Sequence, residues 1–182
     1  MRVTFRLNAI MDGTVTFAGA SIIADATQTI LAVDRVGTWG AAFEFAAGID
    51  GEYSATAIWA HRLHGGWEDM GSGGSHGGDW STPWRPPADG WDGSHLLVLG
   101  RSGREVELDG RDLTFEAVVG FASDRVGAVH VEVDGEVRRV TPSPCGAFCA
   151  LAVGSGALTL TPFDQSGGAL AGGKHIPLTW GT

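Results

Sequence analysis

Apolar and polar residues alternate with a period of two along most of this chain, and that pattern argues for strands over helices throughout. Val3, Phe5 and Leu7 share one face of an extended segment, with Arg2, Thr4 and Arg6 on the other. The turn Asp12-Gly13 leads into Thr14 to Phe17. Further strands are predicted over Thr29 to Val33, Ala41 to Ala47, Tyr53 to Trp59, His95 to Leu99, Glu105 to Leu108 and Leu113 to Val119. Val129, Val131 and Val133 alternate with His130 and Glu132, and Asp134-Gly135 closes a hairpin into Glu136 to Val140. Ala147 to Val153, Ala157 to Thr161 and Ile176 to Trp180 complete the set. No window of a dozen residues keeps a helical stripe, so the predicted class is all-β.

One stretch breaks the pattern. Between Trp59 and His95 lie nine glycines and four of the seven tryptophans: Trp67, Trp80, Trp84 and Trp91. Glycine at this density opposes a helix. Indole rings oppose a free linker, because each buries roughly 150–250 Å². The expectation is a long ordered loop over residues 60–95, pinned to a β-scaffold by its aromatic rings.

Two segments recur. Asp12-Gly13-Thr14-Val15-Thr16-Phe17 matches Asp109-Gly110-Arg111-Asp112-Leu113-Thr114-Phe115 with one extra residue, and Gly51 to Ile58 matches Gly146 to Val153. The order and near-constant spacing point to a duplication, dividing the chain into a β-sandwich over residues 1–100, with its loop, and a second over 101–182.

The second copy resembles a known pattern. An aromatic follows Gly146, and Leu158-Thr159-Leu160-Thr161-Pro162-Phe163-Asp164-Gln165-Ser166-Gly167 is an apolar strand ending in Asp-x-x-Gly. This is similar to bacterial immunoglobulin-like and fibronectin III-like modules, over roughly Glu105 to Trp180 and less closely over Val3 to Trp67. The resemblance implies two immunoglobulin-like β-sandwich repeats used for spacing, adhesion or assembly, and it assigns no catalytic residue. The Cys…Trp…Cys signature of antibody domains is missing.

A net charge of −9 disfavours nucleic acid and anionic membrane as partners. No apolar run reaches the roughly 20 residues of a membrane span, and the alternating N-terminus is unlike a signal peptide. The expected location is the cytoplasm, or a virus particle if the chain is phage-encoded. Cys145 and Cys149, four apart, would sit about 13 Å from each other on a strand, beyond the roughly 7 Å a disulfide tolerates. Reduced thiols are expected.

For chemistry, the loop supplies two readings. Trp67, Trp80, Trp84 and Trp91, with Arg62 and Arg85 nearby, are the expected contact surface of a binding module, since Trp and Arg dominate interface energies. The competing reading is that these rings fill a core or a junction. Trp39, Trp59 and Trp180 are expected in the core. Alternatively, His61, His64, His76 and Asp79 would hold zinc for a metal-dependent hydrolase, though no zinc-hydrolase spacing is present. No nucleophile elbow or P-loop occurs. The function expected is a non-enzymatic structural or binding module without cofactor, a component of a larger assembly such as a virus particle. Its partner is a protein or a second copy, with a glycan as the alternative.

Overall fold

The structure, a computed structural model, describes residues 11–12, 29–47, 52–77, 87–108 and 110–178. Among these the chain is all-β. Strands β1 (Thr29–Val36), β2 (Trp39–Ala47), β3 (Tyr53–Leu63) and β4 (Gly66–Gly77) form an antiparallel meander in the order β1-β2-β3-β4. Strands β5 (Leu96–Leu108), β6 (Arg111–Ala122), β7 (Val126–Val133), β8 (Glu136–Val140), β9 (Ala147–Gly154), β10 (Ala157–Asp164) and β11 (Lys174–Pro177) divide between two more sheets. These run β5-β6-β9 and β11-β10-β7-β8.

The three sheets stack as layers, with β5-β6-β9 in the middle. Phe115, Ala117, Val119 and Phe121 of β6 join Ala147, Cys149 and Leu151 of β9 in a core with Phe43, Phe45 and Trp59 of the meander. The intervening residues Val118, Ala122, Phe148, Ala150 and Ala152 pack against Val129, Val131, Leu158 and Leu160 of the third sheet. A strand covered on both faces has no use for polar residues, which is why Phe115–Ala122 and Ala147–Val153 read as almost unbroken apolar runs. In the third sheet the alternation survives, as in β10, where Leu158, Leu160 and Pro162 are buried and their neighbours less so, whereas the meander is buried in part on its outer face as well. The expected boundary at residue 100 falls inside β5, and the middle sheet contributes to both cores.

The expected long loop over 60–95 is corrected by the structure. Trp59 to Leu63 continue β3, and Gly66 to Gly77 form β4, paired residue by residue with β3 from Leu63↔Gly66 to Tyr53↔Gly77. The glycines serve close approach rather than flexibility. A Cβ on Gly73 would lie 2.9 Å from Ser102 Oγ, one on Gly74 would lie 2.1 Å from Ala55 O, and one on Gly77 would strike the Tyr53 ring. Gly74 faces Gly100 of β5, where the meander and the middle sheet close into a corner; Ser75 Oγ donates to Leu99 O there. Trp59 Nε1 donates to Ser102 Oγ at 3.1 Å across the same corner. Gly100 to Arg104, between two segments predicted separately, join them into one β5, with a bulge between Val98 and Gly100.

The two repeated segments take different places. Tyr53 to Ile58 of the first segment lie in β3, a central strand of a meander; Ala147 to Val153 of the second lie in β9, an edge strand whose successor β10 lies in another sheet. Val3 to Leu7 and Thr14 to Phe17 lie outside the described residues, as do Trp80, Trp84, Arg85, Asp79 and Trp180.

Candidate functional site

The tryptophans expected at the surface divide by burial. Trp67 is 2% exposed, in a cluster with Met11, Ile30, Ala42 and Ala60 on the meander's outer face. Its Nε1 donates to Asp12 Oδ1 at 3.0 Å, and the Arg62 guanidinium stands 5.9 Å from its ring centroid. Trp67 is therefore a core residue and not a platform. The period-two pattern of β3 and β4 puts it there, opposite Arg62. Trp91 is half-buried against the first core. It opens a two-residue turn in which Trp91 N and Ser94 N each donate to the other's carbonyl at 2.7 Å. Asp92 and Gly93 both take positive φ, the pairing such a turn requires. Trp39 and Trp59 are core residues as expected, at 7% and 3% exposed.

The histidines do not converge. His61 pairs with Glu68 and His76 with Ser54 on the one hairpin, so seven residues of extended strand, roughly 23 Å, separate them. His64 sits in the intervening turn at positive φ. His61 is otherwise engaged: its ring stacks on Trp39 at 3.8 Å and its Nε2 pairs with Thr38 Oγ1 at 2.9 Å. Burial lowers its pKa, against a smaller opposing pull from Glu68. Among the described residues no three metal-ligating side chains gather. The cysteines are free thiols. Burial pushes the Cys149 thiol well up, so it is no nucleophile.

What the structure brings together instead is one end of the second and third layers. Here Ser94 and His95, just before β5, meet the turn after β6 and the loop after β10, while the segment between β8 and β9 meets the end of β6 through Ala122 N to Gly146 O at 2.7 Å. Ser94 Oγ donates to Gly172 O at 3.1 Å, and His95 N donates to Ala171 O at 3.3 Å. The buried pair His95 Nδ1 and Ser123 Oγ lie 2.7 Å apart, with Ser123 N donating to His95 O. Ser123 is 2% exposed, so this pair ties loops together and presents no nucleophile to solvent. The next segment is closed by Gly146 N to Ser143 O and Ser143 N to Ala147 O, both 2.8 Å. Asp164 Oδ1 accepts from Ser166 Oγ and from the N–H groups of Ser166 and Gly168, and these bonds, that from Ser166 Oγ first, hold its carboxyl below the usual range.

The turn after β6, the segment between β8 and β9 and Gln165 border an open hollow of about 290 Å³ lined by Ser123, Asp124, Thr141 and Ser143, with Pro142 and Pro144 at its wall. The hydroxyls of Thr141 and Ser143, the Gln165 amide and the Asp124 carboxylate can hydrogen-bond a polar group. No aromatic ring lines the hollow. Sequence reasoning passed over these residues. The available signals were turn signals only: Pro142-Ser143-Pro144 and the Asp164-Gln165-Ser166-Gly167 run, residues that hydrogen-bond their own backbone. Compared with protein-family profiles, curated proteins and solved structures, the chain matches none.

Proposed function

We propose that this chain is a non-enzymatic binding module whose second and third layers form an immunoglobulin-like sandwich, and that the loop end of that sandwich is its contact surface. Supporting the sandwich reading are seven strands split three and four, with the chain crossing between sheets after β6, β8 and β9. The tandem form of the reading has less behind it, since the described part of the first half is a meander. The observation that carries the contact surface is the hollow itself, whose surrounding loops are held by backbone and side-chain hydrogen bonds before any partner arrives. Rigid loops on a β-scaffold save the ordering cost that flexible ones incur on binding.

The partner is a protein, in an assembly. A hollow without an aromatic wall suits a polar protein loop better than a sugar ring, which gains from stacking. The test is chemical cross-linking of the protein in an extract of its source, with peptides mapped by mass spectrometry. Cross-links should fall on residues 123–127, 141–146 and 165, and Ser143→Trp, which fills the hollow, should abolish them. Cross-links confined to other faces, or retained in Ser143→Trp, would refute this surface. Sedimentation of the purified protein separates self-association from a foreign partner.

A further inference from the structure

We propose that Glu116, Arg101 and the carbonyl of Pro177 form an acid-sensitive latch that holds β11, the edge strand of the third layer, against β5 of the middle layer. The Glu116 side chain is fully buried, and its Oε1 accepts from Arg101 Nε at 2.7 Å. Its Oε2 is buried with no hydrogen-bond partner. Arg101, 41% exposed, uses its other end to donate from Nη2 to Pro177 O at 3.2 Å. One guanidinium thus joins a buried carboxylate to the main chain of a neighbouring sheet.

β11 is suited to be a moving part. It is four residues long, pairs among the described residues with β10 alone through Ala157↔Pro177 to Leu160↔Lys174, and is anchored by Ile176 and then Leu178 in the second core. A short edge strand lies at the low end of local stability in a β-fold. The latch adds a contact to the other sheet, and that contact depends on the charge of Glu116. A proton taken up from solvent lands on Oε2, the oxygen without a partner. The bond at Oε1 then becomes one to a neutral acceptor, about half as strong as the charge-assisted one. Arg101 is already partly in water, so it leaves, and Pro177 O loses its donor.

The surroundings favour titration of this carboxyl alone. Desolvation by burial raises its pKa above the ordinary 4.5, with the Arg101 hydrogen bond and charge acting in the opposite direction. Arg101 is the charged group facing it from β5. The facing rows of β7, β9 and β10 are Val131 and Val133, Ala150 and Ala152, and Leu158 and Leu160, none of them ionisable. On β11, Lys174 shares the inward row of Ile176, while His175 pairs outward with Thr159 Oγ1 at 3.2 Å.

Amide hydrogen exchange on the intact chain tests the latch. Between about pH 7 and about pH 4, protection factors corrected for intrinsic rates should fall at least about tenfold for the β11 amides and for Leu178, whose N–H donates to Gly156 O. Protection in β6 and β9 should not fall with them. Glu116→Gln, which keeps an oxygen for Arg101 but no charge, should show weak β11 protection at both pH values. Unchanged β11 protection in the wild-type protein would overturn the proposal, and so would a fall shared equally by β6 and β9. The wild-type titration decides even if Glu116→Gln does not fold.

Discussion

Asp34 and Arg138 stand 104 residues apart in the chain and meet in a bidentate ion pair, with Arg138 Nη1 donating to Asp34 Oδ1 at 2.8 Å and Nη2 to Oδ2. Asp34 belongs to β1 of the first layer and Arg138 to β8 of the third, and they join across the edge of β9 in the second. Leu151 N donates to Asp34 Oδ2 at 2.7 Å, and Arg138 Nη2 donates to Leu151 O. Two side chains thereby hydrogen-bond the outer edge of β9 at Leu151 as a further strand would, so that no other strand can pair there. Inward-pointing charges at sheet edges are a known defence against unwanted strand addition.

Breaking this pair should cost more than its attraction supplies. Asp34→Ala leaves the Arg138 guanidinium, 29% exposed, and the Leu151 amide without their acceptor. A loss of about 2–3 kcal/mol is expected in urea denaturation, reduced from the full buried-pair value because Arg138 reaches water. Arg138→Ala should cost a similar amount. The double variant should lose clearly less than the two losses added together. Strict additivity would mean that the two residues act independently.

The glycines of the first corner make a second prediction, based on what stands in the way of a Cβ. On Gly74 it would meet the β3 backbone, 2.1 Å from Ala55 O; on Gly40, on the meander's outer face, it would meet side chains alone, 2.7 Å from Met11 Sδ and 3.0 Å from the Trp67 ring. Backbone cannot step aside and a thioether can. Gly74→Ala should therefore destabilise by about 2–4 kcal/mol and Gly40→Ala by roughly 1. Equal midpoint shifts in chemical denaturation would contradict the corner packing.

Trp67 supplies a third. Truncation of a ring at 2% exposure should cost about 3–5 kcal/mol, whereas Trp91→Ala, at a half-buried ring, should cost about 1–2. Asp12→Ala removes the acceptor of Trp67 Nε1 and should cost about 1 kcal/mol. A Trp67→Ala protein of wild-type stability would return this residue to the surface.

These cases show where the sequence was legible. Glu136 to Val140 is a strand with the predicted bounds, because Asp134-Gly135 fixes the hairpin and the valines fix the faces. The largely apolar runs of β6 and β9 were found too, but their composition could not say that two sheets, one on each side, required it. The Gly66–Gly77 strand was not legible. Glycine has low strand propensity, and its reason for being there lies in Tyr53, Ala55 and Ser102, distant in sequence and adjacent only in the fold. Trp67 and Arg62 were expected at a contact surface, and His61 as an alternative metal ligand. Their placement on β3 and β4 then decided what they do: Trp67 buries, His61 stacks on Trp39, and Arg62 covers the indole. The loop-end hollow was least legible, since it is assembled from three separate segments with only turn signals in each.

Glu116 gives the last prediction, a pH dependence of global stability opposite in sign to the local loosening proposed for β11. Its carboxyl is raised above the ordinary 4.5 by burial, so the folded chain binds that proton more tightly than the unfolded chain. The stabilisation is fully present below the ordinary value and is lost as pH rises through the folded value. Above that, the fold carries a buried charge with one unpartnered oxygen. Glu116→Gln has no proton to exchange. The difference in unfolding free energy, wild type minus Glu116→Gln, should therefore decline from about pH 4 toward neutrality, and near neutrality the variant should be at least as stable as the wild type. Taking the difference removes every group the two proteins share, including His61, whose lowered pKa acts in the opposite direction as pH falls. A difference that stays flat, or that grows as pH rises, would mean that Arg101 compensates the buried carboxylate fully.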